Sequence, residues 1–154
     1  MLEIERKYLV KHTDFLKELK GIRITQGYLS IDPARTVRVR IKGTQGFITI
    51  KGQSTDSGLT RYEWEKEISI VEAEELLELA LPGVIDKTRF EVAIEKHIWE
   101  IDVFHASNKG LVVAEIELET EETQFALPEW IAQEVTGDQR YYNSYLSEKP
   151  FSEW

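Results

Sequence analysis

Charged side chains recur at every second position in six segments of this sequence. Glu3, Glu5 and Lys7 alternate with Leu2, Ile4, Arg6 and Tyr8. Arg38, Arg40 and Lys42 alternate with Val37, Val39 and Ile41, and Glu63, Glu65 and Glu67 fall on one parity of their own segment. Lys87, Arg89 and Glu91 alternate with Thr88, Phe90 and Val92; Glu100 and Asp102 with Trp99, Ile101 and Val103; Glu115, Glu117 and Glu119 with Ala114, Ile116 and Leu118. A period of two puts each charged set on one side of a strand. For any single strand, a solvated charged face over an apolar core is the plainer account. Three successive like charges, however, repel along a strand and gain nothing for folding by themselves. Acidic and basic strands make sense if they face each other across a shared cavity, where carboxylates hold a hard metal ion and Arg and Lys hold a polyanion.

The elements that would position these side chains read mostly as strands: Leu2–Val10, Ile22–Ile31, Thr36–Lys42, Gly46–Lys51, Tyr62–Ile70, Ile85–Glu95, His97–Phe104 and Leu111–Glu119. Helical periodicity is confined to Thr13–Lys20, Glu72–Leu81 (stopped by Pro82-Gly83), Pro128–Val135 and Asp138–Ser147, the last carrying Tyr141, Tyr142, Tyr145 and Leu146 as a packing stripe. Gly52–Thr60 is polar and reads as a mobile loop. About eight strands with few helices predict a mainly β (α+β) fold, an antiparallel β-barrel with helices packed outside, in one domain over residues 1–154. A closed barrel has room for a polar interior.

The 154 residues carry 19 Lys+Arg against 28 Asp+Glu, a net charge of −9. That total disfavours nucleic-acid binding on the outer surface. It does not exclude a polyphosphate ligand, because it averages a basic wall with an acidic one. Cysteine is absent and the three histidines are scattered, which removes thiol nucleophiles, Cys-ligated zinc and iron–sulfur clusters, and leaves Mg²⁺, Mn²⁺ or Ca²⁺ on carboxylates as the metals to expect. No apolar run approaches the roughly 20 residues that span a bilayer. With strand-like sequence from Leu2, no signal peptide and a soluble cytoplasmic protein without membrane partners are expected. The glycines of Gly52–Gly58 are followed by Leu59 where a Walker A loop needs lysine, so that fold is not an alternative.

Glu3-x-Glu5-x-Lys7 resembles the signature of the CYTH superfamily, the triphosphate tunnel metalloenzymes. The resemblance continues in order through Gln26-Gly27-Tyr28-Leu29, Arg38-x-Arg40, Lys51, Glu63-x-Glu65, Lys87-x-Arg89, Asp102 and Glu115-x-Glu117-x-Glu119, and through a tail, Thr136–Asn143, like that of the short bacterial members. It implies a closed eight-stranded antiparallel tunnel that binds triphosphates and hydrolyses or rearranges them with Mg²⁺ or Mn²⁺. By position, Glu3, Glu5, Asp102, Glu115 and Glu117 match the metal ligands, with Glu119 in support. Arg38, Arg40, Lys51, Lys87 and Arg89 match the phosphate-binding residues, and Glu63 and Glu65 the acids that orient them. Lys42 is expected at the tunnel mouth.

In the resembling short bacterial enzymes the lysine of the signature pairs with a tyrosine, here Lys7 with Tyr28. Such a lysine, surrounded by positive charge, would have a lowered pKa suited to proton transfer, with Lys87 as a further catalytic residue. Equally, Lys7 is one more phosphate contact and Tyr28 a packing residue. Trp64 and Trp99 lie opposite the carboxylates and are expected to pack, and Arg140 is in reach of the tunnel. An uncovered apolar outer patch would permit a homodimer.

The function expected is metal-dependent hydrolysis of inorganic tripolyphosphate to pyrophosphate and phosphate. The preference for an inorganic substrate follows from size, since a chain this short leaves little beyond the barrel for a base or ring pocket. A class IV-type adenylate cyclase, an organic triphosphatase acting on thiamine triphosphate or a nucleoside triphosphate, and a non-catalytic polyphosphate-binding module are the alternatives.

Overall fold

The computed structural model describes residues 1–154. The first strand, β1 (Leu2–Val10), is followed by β2 (Ile22–Ser30), β3 (Arg35–Lys42), β4 (Gln45–Ser54) and β5 (Thr60–Ile68), the last four pairing antiparallel in that order. Helix α1 (Ile70–Glu78) leads into β6 (Ile85–Ile94), β7 (His97–Phe104) and β8 (Val112–Glu117), and the chain ends with a short β9 (Ile131–Glu134) and α2 (Asn143–Glu148). The strands pair in the order β5-β4-β3-β2-β6-β7-β8-β1, and β1 returns to β5. The expected eight-stranded antiparallel barrel is therefore closed, with no free edges around the ring.

Closure rests on a short seam. Only Leu2, Glu3 and Ile4 pair with β5, at Tyr62, Arg61 and Thr60. Beyond them the same edge of β1 is taken by β9, which pairs at Tyr8 and Val10. The helix expected over Pro128–Val135 is this strand instead. The open edge of β1 offers main-chain partners that a helix would leave unmet, and Ile131 packs into the outer core.

That outer core surrounds Trp99, which is fully buried and lies edge-on to Tyr8 and Trp130 at 5.6 and 5.7 Å. Trp64 does not pack as expected. It stays exposed on the outer face with Leu2, Ile50 and Tyr62. The helix over Glu72–Leu81 starts earlier, where Ser69 and Glu72 form a reciprocal capping box. Thr13–Lys20 is reduced to a single 3₁₀ turn at Asp14–Leu16, because Thr13 makes no side-chain cap and Leu16 is drawn into the outer core. No helix is long and apolar enough to cross a membrane.

A second apolar cluster closes one end of the barrel. Ile85, Phe104 and Val113 meet Leu111, Val135, Tyr141 and Leu146 there. The helix expected over Asp138–Ser147 is broken into a 3₁₀ turn at Gln139–Tyr141 and α2, with Tyr142 extended between them. The loop expected over Gly52–Thr60 is also shorter, since β4 runs to Ser54 through a register shift and β5 begins at Thr60. At this corner Gly58 and Gly137, both at positive φ, meet so closely that a Cβ on Gly58 would lie 2.4 Å from the Gly137 Cα.

Candidate functional site

The registers show that the alternating charged residues share the inner wall. Lys7 stands opposite Glu115 and Glu5 opposite Glu117. Arg89 faces Asp102, Arg38 faces Thr49, and Lys51 faces Glu63. A chamber of about 70 Å³ lies among them, lined by the cations Lys7, Arg38, Lys51, Arg61, Lys87 and Arg89 and by only two carboxylates, Glu5 and Glu115. It is small because the side chains reach across it to one another.

Most of these charges are held in pairs. Lys51 Nζ lies 2.9 Å from Glu3 and 3.3 Å from Glu63. Glu65 lies 3.6 Å from Arg38 and 3.4 Å from Arg40, and accepts a 2.7 Å bond from Thr49. Glu63 and Glu65 thus stand where they orient basic side chains. Lys51, beside the polar corner, is half-buried, its side chain 17% exposed, rather than open to solvent. Arg40 leaves the chamber lining and lies over the Phe47 ring. Burial, with Arg38 and Arg89 nearby, lowers its pKa to about 10.

Asp102, expected among the metal ligands, is held by cations instead. Its Oδ1 accepts from Arg89 Nε at 2.7 Å, and its Oδ2 from Lys87 Nζ at 2.7 Å and Arg89 Nη2 at 2.8 Å. It directly faces Arg89 across the β6–β7 ladder, so both oxygens are consumed. Burial would raise its pKa, but the two cations hold it well below the usual carboxylate range. Lys87 is the lysine with a lowered pKa, about 8, through burial and the neighbouring Arg89.

Lys7 behaves otherwise than expected. It lies 3.6 Å from Glu115, donates to the Tyr141 carbonyl at 3.3 Å and sits over the Tyr142 ring. Burial would lower its pKa, yet Glu115 and Glu5 raise it, because its surroundings are acidic and not basic. Tyr28 lines the same chamber, but its hydroxyl is approached by Gln26 and not by Lys7.

Glu5 has neither an ion pair nor a hydrogen bond. Burial and the neighbouring Glu115 and Glu3 push its pKa up to about 8. Burial and Glu3 likewise raise Glu63 to about 7, whereas Lys51 outweighs burial at Glu3 and brings it to about 2. Glu117 is raised by burial, Glu3 and Glu100. Glu119 lies exposed beyond the end of β8, Lys42 has no ion-pair partner, and Arg140 points away from the tunnel, paired with Asp138 and stacked on Trp154. No three carboxylates come close enough to enclose a metal by themselves.

These shifts make stability depend on pH with a definite sign. Glu5 and Glu63 favour the folded state while protonated, a contribution complete below about 4.5 and lost as pH rises through 7 to 8. The lowered Glu3, Asp102 and Glu115 are already ionised above pH 5 and add no slope there. Thermal melts of the metal-free protein are expected to show Tm falling between pH 5 and pH 8; a flat or rising profile would contradict the burial of an unpaired Glu5.

Arg61, Asn143 and Tyr142 also line the chamber, though no motif marks them as site residues. Asn143 Oδ1 accepts from Lys87 at 3.1 Å and from Gln26 at 3.0 Å, joining α2 to the chamber wall. A vestibule of about 450 Å³ shares Thr36, Arg61 and Tyr142 with the chamber and is flanked by Pro33 and Tyr145. Size therefore does not by itself favour an inorganic substrate: the C-terminal segment and the β4–β5 corner build a space that chain length did not reveal.

The model of the CYTH domain family matches residues 1–144. An inorganic triphosphatase from Acetivibrio thermocellus is 45% identical over 150 residues, 97% of this chain and 95% of that protein. An inorganic triphosphatase from Nitrosomonas europaea is 34% identical over 152 residues, 96% and 97% of the two chains. The crystal structure of an inorganic triphosphatase superposes with a TM-score of 0.67 at 32% identity, covering 94% of this chain and 96% of that one.

Proposed function

The chain belongs to the CYTH domain family, and from that premise we propose that residues 1–154 act as one tunnel domain that hydrolyses inorganic tripolyphosphate to pyrophosphate and phosphate with a divalent metal. The observation that carries the reading is the chamber's lining, six cations against two carboxylates inside a protein of net charge −9. Such an excess of Arg and Lys on one chamber lining, with Lys7, Lys87 and Arg89 buried, suits a chain of phosphates and nothing uncharged. The preference for an inorganic substrate rests on the relatives that match nearly the whole chain.

Arg38, Lys51, Lys87 and Arg89 bind the phosphates, and Arg40 supports Arg38 through their shared Glu65. Their paired arrangement keeps each donor in place before the substrate arrives, so charge developing in the transition state meets fixed donors. Asp102 acts as the anchor of Lys87 and Arg89. Lys7 stays protonated between Glu115 and Glu5 and serves as a phosphate contact; Tyr28 stands on the same wall as a packing and hydrogen-bonding neighbour.

The residues present fit a hard divalent ion. Glu5 is a half-buried carboxylate with no ion-pair or hydrogen-bond partner, its pKa raised by desolvation and by the neighbouring Glu115 and Glu3. Glu5 with Glu3, Glu115 and Glu117 would hold Mg²⁺ or Mn²⁺. The lack of a ready-made cluster suits Mg²⁺, which takes one or two carboxylates and completes its shell with water and substrate oxygens. When bound, the ion supplies charge neutralisation at phosphate oxygens and a lowered pKa for the attacking water.

The test is phosphate release from tripolyphosphate, ATP and thiamine triphosphate, each with Mg²⁺, with Mn²⁺ and with chelator. Tripolyphosphate is expected to be hydrolysed fastest and only with metal. Preference for an organic triphosphate, formation of cyclic AMP, or activity that survives chelation would overturn the proposal.

A further inference from the structure

Arg61 is the one cation of the chamber lining with no carboxylate within 4.0 Å. Lys7, Arg38, Lys51, Lys87 and Arg89 each have one. The nearest candidate by register, Glu3, faces Arg61 across the seam but is held by Lys51 at 2.9 Å. The guanidinium is nonetheless fixed. Its Nε donates to the Gly52 carbonyl at 3.0 Å and its Nη2 to Thr36 Oγ1 at 3.2 Å. Thr36 is buried and its hydroxyl in turn donates to the Asp32 carbonyl at 3.2 Å. The Nη1 group has no protein partner.

Its place is as informative as its charge. Arg61 lines both the chamber and the vestibule, so it stands at the neck between them. On β5 it precedes Glu63, which pairs with Lys51; it is one inward-facing position, about 6.6 Å, beyond the Lys51 level. A planar fork held at its root, with free N–H groups and no counter-charge, is a preorganised acceptor for an oxyanion.

Resting on the reading of the chamber as a triphosphate site, we infer that Arg61 forms a separate phosphoryl-oxyanion subsite at the neck, positioned by Thr36. It takes the distal phosphate of a three-phosphate chain, and so lets the site distinguish triphosphates from pyrophosphate. The inner cations hold two phosphates, and the third reaches the uncompensated charge. Pyrophosphate, occupying the inner cations alone, makes no use of Arg61.

The experiment compares KM for tripolyphosphate with the competitive inhibition constant of pyrophosphate, under the same metal, in wild type, Arg61→Gln, Arg61→Lys and Thr36→Val. Arg61→Gln is expected to raise KM about tenfold or more, the worth of a charge-assisted hydrogen bond, with kcat little changed and pyrophosphate inhibition within about twofold of wild type. Arg61→Lys should recover part of the loss, as a point charge without the fork. Thr36→Val should show a smaller loss in the same direction. If Arg61→Gln fails to fold by circular dichroism, the other two variants carry the same comparison. Equal changes in tripolyphosphate and pyrophosphate affinity, or none, would overturn the subsite while leaving the proposed function standing. Wild-type protein without tripolyphosphate hydrolysis would overturn the proposed function, and the subsite with it.

Discussion

Glu5→Gln is expected to lower metal-dependent tripolyphosphate hydrolysis by about 10²–10³-fold, the several kcal/mol that metal coordination contributes. The metal-free variant should be as stable at pH 8 as the parent, or more so. The two effects have opposite signs because Glu5 is costly to the fold. It stands half-buried on the inner wall beside Glu115 and Glu3 without an ion pair, and desolvation with those two carboxylates pushes its pKa up to about 8. The amide keeps the size of the side chain and removes the repulsion, but it cannot supply an anionic oxygen to Mg²⁺ or Mn²⁺. Initial rates with saturating metal, set beside thermal melts in chelator, separate the two. A variant that is less stable yet equally active would make the carboxylate wall a folding device and not a metal site.

Asp102→Ala is the counterpart on the basic wall. Removing the shared carboxylate leaves Lys87 and Arg89 buried, with only Glu100 at 3.0 Å remaining to Arg89. Breaking a buried pair in this way costs about 3–5 kcal/mol, a fall in Tm on the order of 10 °C for a domain of this size. Activity should fall with it, since both cations lose the anchor that orients them. Tripolyphosphate itself should restore part of the lost stability, because it supplies the missing negative charge to the same cations. Melts with and without the anion check this. A small Tm change, or stability indifferent to the anion, would contradict the view that Asp102 holds these cations ready for phosphate.

The barrel and its charged lining were legible because a period of two leaves a mark that a single sequence displays. Arg38, Lys87, Arg89, Glu5 and Glu115 all arrive on one wall as that alternation requires, and Lys51, which the family resemblance supplied, joins them. What was not legible depends on register. Only the pairing of Arg89 with Asp102 shows that Asp102 is consumed by cations, and only the packing of Lys7 against Glu115 shows that its surroundings are acidic. Strand β9 was hidden because Pro128–Val135 carries a helix-like pattern, and its pairing is decided by the edge of β1 that β5 leaves open. Tyr142 was read with a helical stripe because the break at Tyr142 is set by tertiary contacts. Arg61 did leave a signal. It shares the parity of Glu63 and Glu65, and a lone basic residue in phase with an acidic strand marks an inward-facing cation.

The most direct measurement is phosphorus NMR of tripolyphosphate incubated with the purified protein and Mg²⁺. Equal amounts of pyrophosphate and orthophosphate are expected in wild type, and unchanged tripolyphosphate when chelator is added or when Glu5→Gln replaces the parent. Tripolyphosphate left intact by the wild-type protein with Mg²⁺ and with Mn²⁺, or converted equally well in chelator, would contradict the proposed function.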